Sequence, residues 1–140
     1  MRPGEIYRDN AFYVAPTGEL KAKYLLVLAA PSGHDIVVRL LTSRPHGRPE
    51  NPPCFHGAPY AGYFLGMPGG ELNRKTWVDL RPQDDLDPVA CRRRQEKGLM
   101  VRVLALDPAT TTRVIECVAG ADDTTRKQET LLRDVLAAMC

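Results

Sequence analysis

A mainly β, α+β fold is what this sequence predicts. Five to seven short strands would close as a small barrel, with a short helix and a C-terminal helix packed on its outside. Three observations carry that reading. Twelve prolines and eleven glycines in 140 residues cut the chain into short pieces. Several of those pieces are apolar runs of strand length, rich in Val, Ile and Leu and bounded by turn residues. The stretch from about Thr124 to Met139 holds the clearest helical period, which makes it the best helix candidate.

The elements follow in order. Residues 4–14, GEIYRDNAFYV, read as one or two strands, and APTGEL (15–20) as a turn. KAKYLLVLAA (21–30) is a strand whose near-continuous apolarity implies burial on both faces. PSGHD (31–35) is a hairpin loop and IVVRLLT (36–42) the return strand. Residues 43–59, SRPHGRPENPPCFHGAP, contain five prolines, each removing a donor and fixing its φ, so they form a semi-rigid excursion. YAGYFLG (60–66) and KTWVDL (75–80) are two further strands. Asp87 before Pro88 has the form of an N-cap with proline at the first helical position, and Gly98 stands where the chain would leave that helix. LMVRVLALDPATTTRVIECV (99–118) reads as a hairpin of two apolar strands around DPAT. In the tail, Leu131, Leu132, Val135, Leu136 and Met139 share one helical face, and Thr125 with Gln128 resembles a capping box.

Composition narrows the class. The length suits one domain, residues 1–140, and 44% hydrophobic with 26% charged residues describes an ordinary folded chain. A net charge of +2 is too small to announce nucleic-acid binding by itself. No apolar run approaches the roughly 18 to 20 residues of a membrane span, and no apolar core follows Arg2, so a cytoplasmic protein is expected. Cysteines 54, 91, 117 and 140 are widely spaced, without a C-x-x-C or finger-like Cys/His pattern. In a reducing compartment they would be free thiols, with Cys117 a small buried residue and no metal site. GMPGGE lacks the Lys and Ser/Thr of a P-loop, and no triad pattern is present.

A PGEIY opening, an apolar strand after a turn, then a second strand ending in LTS resembles the MazF/PemK family of toxin endoribonucleases, most clearly over residues 1–43. The resemblance implies an SH3-like barrel that forms a homodimer and cuts single-stranded RNA without metal or cofactor. It also implies a cognate antitoxin protein whose flexible segment fills the RNA groove. The family's arginine falls on Lys23 and its strand-end threonine on Thr42, the two implied catalytic residues. Two departures stand out. Lysine keeps the charge but loses the planar fork that grips two phosphate oxygens, and the proline that follows in the family is Tyr24 here.

The chemistry can also be read from the residues. Cleavage through the RNA 2′-hydroxyl needs a base, an acid and cations or donors around the phosphorane. Lys23 and Arg44 offer charge, Thr42 and Ser43 offer hydroxyl donors, and His46 or His56 can move protons near neutral pH. Phe55 and Tyr60, on the proline-rich excursion, could stack on unpaired bases, whereas Trp77 reads as core. Arg39 belongs to the other face of its strand. CRRRQEKG (91–98) spreads its arginines around a helix, giving a broad patch with the acidic run Asp84, Asp85 and Asp87 close by. Each residue has a plainer role: Lys23 a solvated strand start, Thr42 and Ser43 strand terminators, the histidines surface residues. A non-catalytic barrel that binds nucleic acid or a protein, and an interaction module built on the proline-rich loop and the last helix, are the alternatives.

Overall fold

The computed structural model describes residues 1–139. Seven strands are β1 (Glu5–Val14), β2 (Leu20–Ala29), β3 (Val37–Thr42), β4 (Cys54–Phe55), β5 (Gly62–Gly66), β6 (Thr76–Asp79) and β7 (Met100–Ala105). Three helices are α1 (Pro88–Glu96), α2 (Pro108–Ala119) and α3 (Arg126–Met139). The strands form one sheet in the order β4-β5-β6-β3-β2-β1-β7, with every pair antiparallel. The mainly β, α+β class is the one the sequence implies.

Barrel closure is not made. β4 and β7 stand at opposite ends of the strand order and share no ladder among the described residues. β4 is two residues long, because prolines 52 and 53 just before it have no N–H to extend the pairing. At the other edge, β7 runs within a few residues into α2.

The second correction concerns residues 99–118. Their first half is β7, but their second half is a helix. Asp107 caps it, its carboxylate accepting the Thr110 N–H at 2.7 Å, and Pro108 occupies the first turn. Val114, Ile115, Cys117 and Val118 are all buried, the spacing of one helical face. The β-branched run Thr110–Thr112 and Val114–Ile115 suggests a strand by propensity, and packing overrides it.

The core is two-sided, as the continuous apolarity of β2 implies. Leu26, Leu28, Val37 and Val78 pack with Val114, Ile115 and Val118 of α2 and Leu132 of α3 on one face. Leu25, Val27 and Val38 join Tyr7, Met100 and Cys91 of α1 on the other. Each fully buried aliphatic side chain of this kind contributes about 1.5–3 kcal/mol.

The helix ends follow the sequence signals. Asp87 accepts the Ala90 N–H at 3.0 Å, and Gly98 takes the left-handed φ of +73° that ends α1. Thr125 and Gln128 bond reciprocally, at 3.2 and 3.1 Å, as a capping box does. Gln128 is shared further. Its Oε1 accepts from Arg39 Nη2 at 3.2 Å and its Nε2 donates to Asp85 at 2.8 Å. Arg39 is fully buried, and that burial pushes its pKa down despite the pull of Asp85 and Asp79.

What places the site is the β2–β3 hairpin. Its register pairs Tyr24 with Leu41, so the next step brings Lys23 beside Thr42 at the rim of the sheet.

Candidate functional site

A cleft of about 650 Å³ opens at that rim, lined by Lys23 and Tyr24 of β2, by Thr42 to Arg44 and His46 beyond β3, by Glu71 and Arg74 of the loop before β6, and by Asp79 and Arg81 at its end. Five cationic side chains line it (Lys23, Arg44, Arg48, Arg74 and Arg81) against two carboxylates, Glu71 and Asp79. Lys23, Thr42, Ser43, Arg44 and His46 are therefore brought together, and Arg39 does not line the cleft.

The strand exit is a sequence of tight turns. Thr42 Oγ1 accepts the Arg44 N–H at 3.1 Å, leaving its own proton free to donate. His46 and Gly47 both have positive φ, +46° and +82°, and the Arg48 N–H donates to the Pro45 carbonyl at 2.8 Å. Two left-handed central residues with that bond make a type I′ turn, which folds the chain back on itself. Ser43, Arg44 and His46 are left exposed, while Arg48 returns into the protein.

Arg48 is the pivot of the wall behind the cleft. Its Nε donates to the Ala61 carbonyl at 2.9 Å and its Nη2 lies 3.2 Å from Asp79 Oδ1. It crosses β5 where Gly62 has no side chain; a Cβ there would stand 2.4 Å from Arg48 Cδ. Asp79 in turn accepts from Arg81 Nη2 at 2.6 Å, from Arg81 Nε at 2.9 Å and from the Arg81 N–H at 3.0 Å. Burial alone would raise the Asp79 carboxyl, but these hydrogen bonds and the nearby Arg48 charge outweigh it and hold its pKa below the usual range. Burial lowers Arg48, and Asp79 opposes the fall. The hydrogen bond to Asp79 raises Arg81. Tyr60 completes the wall: the guanidinium carbons of Arg48 and Arg81 each lie 5.3 Å from its ring centre, and the His46 ring lies 5.4 Å away.

Glu71 is also committed. It bonds Arg8 and accepts the Tyr24 hydroxyl at 3.0 Å, and its pKa is lowered chiefly by the Arg8 hydrogen bond. Burial, then the bond to Glu71, raises Tyr24. Among the described residues, Lys23, Arg44 and Arg74 have no carboxylate within 4.0 Å. These are the charges the cleft can offer to a ligand.

Other candidates lie elsewhere. Phe55 is in β4, its ring over Gly57, where an added Cβ would come within 2.2 Å of it. His56 follows it, with Nε2 2.8 Å from the Cys117 carbonyl oxygen. Neither lines the cleft. Trp77 is buried, its indole N–H donating to the Pro49 carbonyl at 3.0 Å. The arginine cluster is divided: Arg94 pairs with buried Asp9, while Arg92 and Arg93 are exposed. In the acidic run, Asp87 caps α1 and Asp85 receives Gln128.

The expectation of free thiols is corrected at two positions. Cys54 and Cys117 form a disulfide between β4 and α2, their Cα atoms 5.8 Å apart, and Cys91 is a buried free thiol. Cys140 lies outside the described residues. The pairing follows from α2 docking beside the short β4, a contact between segments far apart in sequence.

Arg48, Arg74, Asp79, Arg81 and Glu71 were missed as site residues. One local signal was available, the Asp79-Leu80-Arg81 spacing at the end of a strand, which lets a side chain bond its own i+2 neighbour. Nothing local connects Arg48 to Asp79. Comparisons with protein-family models, curated proteins and solved structures give no match.

No helix among the described residues is long and apolar enough to cross a membrane.

Proposed function

We propose that the cleft at the β2–β3 rim binds single-stranded RNA and cleaves it, in the manner of the MazF/PemK toxins that residues 1–43 resemble. The observation that carries this reading is that Lys23 and Thr42 line one cleft together with Ser43, Arg44 and His46. In this reaction the RNA 2′-hydroxyl attacks the adjacent phosphorus and the 5′-oxygen leaves, giving a 2′,3′-cyclic phosphate and a 5′-hydroxyl end. Lys23, Arg44 and Arg74 would neutralise the phosphorane, Thr42 and Ser43 would donate hydrogen bonds to its oxygens, and His46 would carry a proton. The reading includes a homodimer acting in the cytoplasm and a cognate antitoxin whose flexible segment competes with RNA for the cleft.

A second reading, RNA or peptide binding without cleavage, is favoured by one feature. Both carboxylates of the cleft are tied up by arginines, so neither is free to serve as the base that a cleavage needs. Incubating end-labelled single-stranded RNA with the full chain in EDTA separates the two. The enzyme reading requires cyclic-phosphate products from the wild type and their loss in Lys23→Ala and Thr42→Ala. Salt-sensitive binding with intact RNA supports the second reading, and neither binding nor cleavage removes both.

A further inference from the structure

We propose that Cys54, His56 and Cys117 bind a zinc ion when the disulfide between the two cysteines is reduced. The three residues come together from two elements, Cys54 and His56 from β4 and the chain just after it, Cys117 from the third turn of α2. Their donor atoms all lie within 4.8 Å of one another. This group shares no residue with the lining of the cationic cleft.

The geometry of the histidine carries the inference. His56 Nε2 lies 3.4 Å from Cys54 Sγ and 3.6 Å from Cys117 Sγ. Zinc bound at about 2.3 Å to sulfur and about 2.0–2.1 Å to nitrogen, in a tetrahedral arrangement, holds its N and S ligands about 3.5 Å apart. The imidazole therefore already stands at ligand spacing from both sulfurs. The sulfurs themselves must part, to about 3.7 Å by the same geometry, and only reduction permits that.

The steps balance. A dithiol reductant gives two electrons and two protons to the disulfide and becomes a disulfide itself. Zinc then displaces the two thiol protons and is bound by two thiolates. In the oxidised form Nε2 faces the Cys117 carbonyl at 2.8 Å, an oxygen that only accepts, so Nε2 carries the imidazole proton. Metal binding moves that proton to Nδ1 and breaks the carbonyl contact. Two thiolates and an imidazole select a borderline-soft ion over magnesium or calcium. Cys117 is buried, but Cys54 is half-buried and His56 exposed, so an ion reaches the site and its fourth position is left for water.

The test uses the full chain, reduced without oxygen, equilibrated with Zn²⁺ or Co²⁺ and desalted. About one zinc per chain is expected, with thiolate-to-cobalt charge-transfer absorption for the cobalt form. Cys91→Ser should bind as the wild type does. Oxidised protein should retain none. His56→Ala should weaken zinc by more than about tenfold, since even losing a group that only orients a zinc ligand costs that much. His56→Ala keeps the disulfide, so its fold is checked in the oxidised form by circular dichroism before reduction. Zinc-free reduced wild type, or equal affinity in folded His56→Ala, overturns the proposal.

Discussion

The cleft has a wall and a rim, and both carry cationic side chains, yet the two do opposite things. In the wall, Arg48 and Arg81 converge on Asp79, and the side chains of Arg48 and Asp79 are 1% and 7% exposed. At the rim, Lys23, Arg44 and Arg74 are exposed and have no carboxylate partner among the described residues. A buried ion that loses its partner keeps its full desolvation cost, whereas an exposed ion without one simply stays hydrated. Changes in the wall should therefore be read in stability, and changes at the rim in ligand binding.

The largest effect should come from cutting the wall at its centre. Asp79→Ala leaves Arg48 buried and unpaired, and removing one partner of a buried pair costs about 3–5 kcal/mol. Urea unfolding should show the midpoint falling accordingly. A loss below about 1 kcal/mol would put Asp79 among ordinary surface ion pairs and dissolve the distinction.

Next comes Gly62→Ala, which strikes the same wall without touching a charge. The added methyl meets the stem of Arg48, a flexible side chain but one held at both ends by Ala61 and Asp79. Overpacking of this kind costs about 1–3 kcal/mol. The melting temperature should drop, while the RNA binding proposed for the rim should stay unchanged in the remaining folded protein.

The wall should also show in the pH dependence of stability. Asp79 has a folded pKa held below its unfolded value near 3.9. A group of that sign contributes its stability above the unfolded pKa and loses it as pH falls through the folded one. The wild type should therefore lose stability steadily below about pH 4, and Asp79→Ala should lose less over the same interval. Parallel acid limbs in the two proteins would contradict the assignment.

How much of this the sequence discloses differs between the two regions. β2 and β3 were legible because continuous apolar runs flank a glycine turn, and the rim followed because Lys23 and Thr42 are placed by that one hairpin. Asp87, Gly98, Thr125 and Gln128 were legible because caps are local. α2 was not: Asp107-Pro108 carries the same start signal as Asp87-Pro88, but the Thr and Val run after it also suits a strand. The wall and the disulfide were illegible for a different reason. Arg48 meets Asp79 only through the register of β5 on β6, and Cys54 meets Cys117 only once α2 is recognised as a helix.

The smallest stability effect, and the sharpest functional one, belongs to Lys23. It is exposed and has no carboxylate partner among the described residues, so Lys23→Ala should change unfolding by no more than about 0.5 kcal/mol. If Lys23 contacts one phosphate, the dependence of log affinity on log salt should become shallower by about 0.7 for a single strand. Lys23→Arg carries the comparison further. It keeps the charge, so the salt slope should stay that of the wild type, but it restores the fork that can hold two phosphate oxygens. If the cleft cleaves RNA, cleavage should rise, and stability should not move at so exposed a position. A salt slope unchanged in Lys23→Ala would mean that RNA, if it binds, does so away from the junction of β2 and β3, and the cationic rim would then be only a solvated edge.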